Sequence, residues 1–99
     1  MIGFRYLPPA EEEVTEAARF YEGQARGLGT EFLDDVQRAI DRLRDNPMLG
    51  QTVEDDLRRS LLSRFPFSLI YTVEPDNLLI VAVAHQRRRP NYWKERVDR

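Results

Sequence analysis

Two apolar runs joined by a tight turn constrain the fold of this chain more than any other feature. Residues 64–71 read RFPFSLIY and residues 78–85 read LLIVAVAH, with Pro75-Asp76-Asn77 between them. Proline presets the first central position of a reverse turn, and Asp or Asn tolerates the next position. We therefore expect two adjacent antiparallel strands, residues 67–74 and 78–85, at the centre of a sheet. The second run leads directly into a basic segment, QRRRP at residues 86–90.

Two helices are predicted before these strands. Pro9 suits the first turn of a helix, and Gly23 is expected to end it. A second helix carries an apolar stripe that runs from Leu28 to Leu43, with charged residues opposite, and Asn46-Pro47 closes it because the residue before proline avoids the helical region. The short link at residues 24–29 contains two glycines, so the two helices should form a hairpin.

The remaining segments complete an α+β domain over residues 1–99. Alternation at Ile2, Phe4 and Tyr6 predicts a first strand, and residues 57–65 predict another. Residues 48–56, which contain Gly50 and three acidic residues, are predicted to be a loop. The order β-α-α-β-β-β places the helical hairpin on one face of a four-stranded, mainly antiparallel sheet.

The last strand is apolar on both of its faces, although a strand with one wet face should alternate. Two helices cover only one face of such a sheet. Either the C-terminal tail closes the other face, or a partner protein covers it, and the two interpretations are compatible.

The amino-acid composition limits the kinds of metal site, membrane segment and charged surface that the chain can have. The chain has no cysteine and a single histidine, His85, so thiolate and multi-histidine metal sites are excluded and no cofactor is expected. No apolar run reaches the roughly 18 residues of a membrane span and no signal peptide is read, so we expect a cytoplasmic protein. The net charge is −2, but residues 1–56 carry −7 and residues 57–99 carry +5. The second half is therefore the half expected to face anions.

The basic segment and His85 are the candidate functional residues. A general acid or base at a strand end is one interpretation of His85, and a hydrogen-bonded cap of the strand is the other. Arg64 precedes the Phe-Pro-Phe turn, and a pair of Arg64 with His85 would have the form of a small ribonuclease site. A larger set is expected either to face phosphate, with aromatic rings available for stacking, or to be a solvated cluster paired with acidic residues. That set is Arg58, Arg59, Arg64, Arg87, Arg88, Arg89, Tyr92, Trp93 and Lys94.

Several segments match one family of small bacterial proteins in the same order along the chain. They are Tyr21-Glu22, residues 29–32, residues 43–47 (LRDNP), Arg58 or Arg59, residues 64–71, residues 80–85 (IVAVAH), Arg88-Arg89-Pro90, Trp93 and Arg96. With this set the chain resembles the RelE/ParE superfamily of toxins from type II toxin–antitoxin, or plasmid stabilisation, systems. The predicted order of helices and strands agrees with the fold that the resemblance implies.

The superfamily divides by activity, and the charge of this chain favours one branch. RelE-like members are strongly basic, ribosome-dependent mRNA endonucleases, whereas ParE-like members act on DNA gyrase. A net charge of −2 with one lysine, Lys94, favours the ParE-like branch. The resemblance then implies a toxin that inhibits DNA gyrase by binding rather than as an enzyme. It also implies a hetero-oligomer with a cognate ParD-like antitoxin that wraps the helical hairpin and the sheet.

Target-binding residues follow from this interpretation: Arg87, Arg88, Arg89, Tyr92 and Trp93. Direct binding of nucleic acid is not expected without a partner. Two alternatives remain open. One is an mRNA endonuclease that uses Arg64, His85 and Arg88, and the other is a regulatory module that binds its antitoxin without being toxic.

Overall fold

Two helices cover one face of a five-stranded mixed sheet in the computed structural model, which describes residues 1–97. The strands are β1 (Gly3–Tyr6), β2 (Gln51–Glu54), β3 (Leu57–Leu61), β4 (Phe67–Val73) and β5 (Asn77–His85). The helices are α1 (Pro8–Gln24) and α2 (Leu28–Asp45), and a short 3₁₀ helix spans Lys94–Arg96. The sheet order is β1-β5-β4-β3-β2, in which β1 runs parallel to β5 and the other pairs are antiparallel. The helical hairpin and the order of elements agree with the sequence-based prediction.

The prediction of four strands is wrong, because β2 adds a fifth. Residues 48–56 were predicted to be a loop, but Gln51–Glu54 pairs with β3 at the outer edge of the sheet. The strand has an irregular register and little apolar alternation, so its sequence does not resemble a strand. It is held through Gly50, whose amide donates to the Tyr71 hydroxyl at 2.9 Å. A side chain at Gly50 would have its Cβ 2.5 Å from that oxygen.

β3 is shorter than predicted and ends at Leu61 instead of residue 65. Asp35 on α2 is the physical reason. It is only 1% exposed, and its Oδ2 accepts the backbone N–H groups of Arg64 (2.9 Å) and Phe65 (3.1 Å). These amides are therefore satisfied by a side chain of the helix layer and cannot extend the β3 ladder.

The helix-facing core is built around four aromatic rings. Tyr21 of α1 packs edge-on against Phe65 with ring centroids 4.8 Å apart, and Phe32 of α2 lies 5.0 Å from Phe67 of β4. Edge-to-face pairs of this kind add to the free energy of burying the rings. The buried stripe of α2 that surrounds them contains Phe32, Val36, Ala39, Ile40 and Leu43. The predicted apolar stripe of this helix is thus confirmed.

The second face of the sheet is closed by the C-terminal segment, which confirms the intramolecular interpretation of the two-sided apolar strand. Trp93 is 5% exposed and packs in one buried cluster with Leu57, Ile70, Leu79 and Val81. The segment that follows β5 therefore covers the apolar surface that the two helices cannot reach.

A β-bulge in β5 decides which face His85 occupies. Ile70 pairs with Ala82 but its neighbour Tyr71 pairs with Ile80, so Val81 is an extra residue. Val81 and Ala82 consequently both face the second-face core, and the alternation beyond them is inverted. His85 lies on the helix side of the sheet as a result, with its ring 5.1 Å from and nearly perpendicular to the Phe67 ring.

Within residues 1–97, no helix combines the length and the apolar character that a membrane span requires.

Candidate functional site

The segment after β5 crosses the second face of the sheet and is tied down on both sides. On one side the Arg96 guanidinium donates to the Glu13 carboxylate of α1 at 2.8 and 3.0 Å. On the other side the Lys94 Nζ lies 2.9 Å from the Glu54 carboxylate of β2. Between these two ion pairs Trp93 is buried. This segment, residues 86–97, is thus held against the sheet at both sides, and we call it the strap.

Glu13 is the centre of this arrangement. Its carboxylate accepts the backbone N–H of Val83 at 3.0 Å, the hydroxyl of Tyr92 and the guanidinium of Arg96. Val83 needs this acceptor because β1 ends at Tyr6, the partner of Ile80, so the end of β5 has no neighbouring strand on the side opposite β4. A side chain of α1 therefore satisfies the backbone where the sheet stops.

Burial and the hydrogen bonds to Glu13 shift the pKa values of two side chains in the strap, Tyr92 and Arg96. Burial, followed by the hydrogen bond to Glu13, raises the pKa of Tyr92 well above its ordinary range. The hydrogen bond to the Glu13 carboxylate raises the pKa of Arg96. Tyr92 therefore stays protonated and Arg96 stays charged across the neutral range.

An open cavity of about 330 Å³ lies between the strap and the strands on the second face. Ser68, Ile70 and Ala84 line it from β4 and β5, and the guanidinium-bearing residues Arg59, Arg88 and Arg89 line it from β3 and the strap. We call this cavity the arginine groove. His85 also lines it, and no acidic residue among those described does so. The groove therefore concentrates positive charge in a chain whose net charge is negative.

Arg88 is positioned by the ring of Tyr92. Its guanidinium carbon lies 3.9 Å from the ring centroid, a stacking distance at which the cation is attracted to the aromatic face. Glu13 is 3.9 Å from the same guanidinium, but this carboxylate is already engaged by Arg96 and Tyr92. The stacking aligns Arg88 along the groove and leaves donors for a ligand.

A second cavity, of about 350 Å³, lies on the helix side of the same sheet end. Phe20, Phe67 and Val83 give it apolar walls, and Glu13 and Glu16 give it an acidic side. His85 and Arg88 line both cavities and so lie at the boundary between them. The end of β5 is thus accessible from either face.

The structure brings together most of the residues that the sequence singled out, but not Arg64. His85, Arg88, Arg89, Tyr92 and Trp93 all line the arginine groove. The Arg64 guanidinium instead pairs with Glu31 of α2 at 2.6 Å, and Arg64 lines neither cavity. Arg87 is exposed and lies outside the groove, with its backbone N–H donating to His85 Nδ1 at 3.0 Å.

Comparison with known proteins identifies the family. The family model of the ParE toxin of type II toxin–antitoxin systems, parDE, matches residues 4–90. The chain belongs to the ParE toxin family. This is the branch that the charge balance favoured, and the match includes Arg59 and the basic segment but ends before Tyr92.

A solved structure supports the same fold for this ParE-family chain. A chain described as the chromosomal ParDE TA system from P. aeruginosa superimposes with a TM-score of 0.71, covering 86% of this chain and 96% of the other. The two sequences are 17% identical, so the similarity is evidence for the fold. No curated protein matches the chain.

Sequence reasoning missed Glu13 as a site residue of this ParE toxin. From the sequence alone, Glu11, Glu12 and Glu13 are three acidic residues near a helix N-terminus, where the helix dipole favours negative charge, but in the structure Glu13 accepts a hydrogen bond from the sheet. The sequence does indicate that Glu13 lies on the buried side of the helix, because it is three positions from Ala10 and four from Ala17.

No group of three or more Asp, Glu or His residues that could hold a metal ion occurs in the described part of the chain.

Proposed function

We propose that this ParE-family chain is the toxin of a type II toxin–antitoxin system and inhibits DNA gyrase by binding it. The arginine groove and the exposed Arg87 form the target-binding surface. Tyr92 and Trp93 act from within the fold, since Tyr92 orients Arg88 and Trp93 anchors the strap. Gyrase acts in the cytoplasm, which is the compartment we propose for the toxin.

The observation that carries this proposal is that the three candidate nuclease residues, Arg64, His85 and Arg88, do not form one site. Arg64 is paired with Glu31 and is absent from the groove that contains His85 and Arg88. Phosphodiester cleavage needs a base, an acid and charge stabilisation around one scissile bond. A groove lined with arginines and without a carboxylate is suited to holding an anion, which is a binding function.

The charge of the whole chain supports the same conclusion. A nuclease that engages the ribosome is attracted to a dense array of phosphates, and a strongly basic protein is the usual solution. This chain has a net charge of −2 and one lysine. Its positive charge is local, as a specific docking site requires.

We further propose that a ParD-like antitoxin neutralises the toxin by covering the helical hairpin and the sheet end, in a toxin–antitoxin hetero-oligomer. Phe20 of α1 is 61% exposed beside the helix-side cavity, and Leu33 of α2 is also exposed. These two are the large apolar side chains that the described helices expose, and contiguous exposed apolar surface marks protein-binding sites. The P. aeruginosa structure with this fold is itself described as a ParDE system.

One observation favours the alternative function, an mRNA endonuclease. His85 and Arg88 line the same groove, so an imidazole and a guanidinium face one space. In that case His85 moves the proton and Arg88 holds the phosphate, without Arg64.

Two measurements separate these functions. Purified toxin is added to gyrase in a DNA supercoiling assay, and the chain is induced alone in bacteria while DNA and protein synthesis are followed. We expect loss of supercoiling and early arrest of DNA synthesis with filamentation. Early arrest of translation with cleaved mRNA contradicts the proposal and supports the nuclease, whereas normal growth supports a non-toxic module that only binds its antitoxin.

The variant His85→Gln sharpens the comparison. A gyrase inhibitor that works by binding keeps its toxicity within about threefold, because glutamine preserves a polar side chain at this position. A nuclease that depends on His85 loses about 100-fold or more of its activity, the usual contribution of a general acid or base.

A further inference from the structure

Three arginines meet in the arginine groove, and among the described residues the one carboxylate within ion-pair distance of them is Glu13, which lies 3.9 Å from Arg88. In the described residues, Arg59 and Arg89 form no ion pair, and the one acid near Arg88 is engaged by Arg96 and Tyr92. Five of the other arginines in the described residues are paired with carboxylates, as Arg5 is with Glu74 and Arg44 with Asp41. The positive charge of the groove is therefore available to an external anion.

The fold holds these charges together at a cost. Like charges in one cavity repel each other, and the two ion pairs that secure the strap, Arg96–Glu13 and Lys94–Glu54, keep Arg88 and Arg89 over β3 despite that repulsion. Stacking on Tyr92 further restricts Arg88. An anion in the groove would relieve the repulsion and would find the donors of Arg88 already oriented by Tyr92.

The chemistry of the donors matches phosphate. Guanidinium groups bind phosphate oxygens in a bidentate manner, and several of them around one site are typical of phosphate recognition. The cavity of about 330 Å³ has room for a phosphodiester and its sugar. Ser68 lines the groove as well and adds a hydroxyl.

We propose that the arginine groove binds a backbone phosphate of DNA, so that the toxin contacts the DNA held by its target as well as the target protein. This inference rests on the proposed function in one respect, since gyrase is the enzyme that brings the DNA to the toxin. The acidic helical half faces away from the polyanion in this arrangement, because the groove lies on the opposite face of the sheet.

The test uses the purified full chain and a fluorescein-labelled 20-base-pair DNA duplex, with binding followed by anisotropy between 20 and 150 mM salt. The groove variant is a double substitution that combines Arg59→Gln with Arg89→Gln. The control is Arg26→Gln with Arg42→Gln, which removes the same charge from two exposed arginines outside the groove. We expect the groove variant to bind about tenfold more weakly at low salt. Its slope of log affinity against log salt should fall by about 1, since one phosphate contact on duplex DNA contributes about 0.9.

The inference is overturned if the duplex does not bind at 20 mM salt, if the groove variant keeps the salt slope of the wild type, or if variant and control lose equal affinity. Tighter binding to an RNA strand of the same sequence also overturns it. Equal capture of a polyglutamate peptide overturns it as well, because that result assigns the groove to an acidic protein surface. Failure of the proposed function looks different. A toxin that binds DNA through the groove but leaves gyrase supercoiling unchanged refutes gyrase inhibition and leaves the phosphate site standing.

Discussion

Arg96 donates two hydrogen bonds to Glu13 across 83 positions of sequence and thereby fastens the end of the chain to its first helix. The same carboxylate caps the exposed end of β5 at Val83. One acidic side chain thus connects the helix layer, the sheet and the strap that forms the arginine groove.

Replacing Glu13 with Gln should destabilise the protein and loosen the strap. An amide loses the charge that pairs with Arg96, and its NH₂ group opposes the donors that now share the carboxylate. We expect the free energy of unfolding to fall by about 2–3 kcal/mol in urea denaturation. Trp93, the only tryptophan, should become more exposed, with a red shift of its fluorescence.

The matched control is Glu12→Gln, an exposed neighbour in the same turn of α1, which should change the free energy of unfolding by less than about 0.5 kcal/mol. Equal effects of the two substitutions would mean that Glu13 is an ordinary helix-surface acid.

Two glycines should respond to alanine in opposite directions. In Gly50→Ala the new Cβ would meet the Tyr71 hydroxyl at 2.5 Å and a ring carbon at 2.7 Å, so the backbone at residue 50 and the Tyr71 side chain must move apart. We expect a loss of about 2–3 kcal/mol in the free energy of unfolding, as for overpacked cores. Gly23→Ala in the last turns of α1 has open space around it and should stabilise the protein by about 0.5 kcal/mol. A stabilising Gly50→Ala would contradict the packing described for Tyr71.

Stability should fall in alkaline solution because the fold favours protonated tyrosines. Burial raises the pKa of Tyr6 to about 12 and also raises the pKa values of Tyr21, Tyr71 and Tyr92. A pKa that is higher in the folded state contributes stability below the unfolded value of about 10, and this contribution is lost as the pH rises toward the folded value. For Tyr6 the pH window is therefore about 10 to 12.

The measurement is urea unfolding at pH 8, 9.5, 10.5 and 11.5, with tyrosine ionisation followed at 295 nm. Tyr6→Phe should make the decline above pH 10 shallower by up to about 1.4 kcal/mol per pH unit, the value for one proton. A decline of unchanged steepness in this variant would show that Tyr6 titrates normally in the folded protein.

Phe20→Ser should weaken neutralisation by the antitoxin without harming the fold. Because the side chain is 61% exposed, its loss should leave the free energy of unfolding within about 0.5 kcal/mol. If the antitoxin buries the ring, the affinity should drop by about 10- to 100-fold, the equivalent of roughly 1.5–3 kcal/mol for burying a phenylalanine. Titration calorimetry with the antitoxin encoded beside the toxin gene measures this change.

Met48→Ser serves as the comparison, because Met48 is equally exposed but lies in the loop before β2, away from the helix-side cavity. If the Phe20→Ser variant keeps its affinity for the antitoxin and the Met48→Ser variant loses affinity, the antitoxin site lies near Met48 instead of at the helix-side cavity.

Local patterns were sufficient to predict the helices and the central strands. The stripe of α2 and the Pro75-Asp76-Asn77 turn depend on residues close in sequence, and both are present in the structure. The resemblance of ordered segments also led to the ParE toxin family, which the family model confirmed. β2 was missed because a short edge strand that is only partly buried needs no regular apolar alternation, and its pairing depends on contacts with β3 and on Gly50 fitting against Tyr71.

The sequence by itself determined the helical hairpin, the consecutive strands β3, β4 and β5, and the separation of charge between the two halves. Only the tertiary structure decided how the residues around the groove act. The bulge at Val81 inverts the alternation of β5 and turns His85 to the helix side, and Glu31 holds Arg64 away from it. Glu13 takes up Arg96 and Tyr92 and leaves the groove arginines free. These outcomes depend on which distant side chains meet in space, and no periodicity along the chain records such pairings.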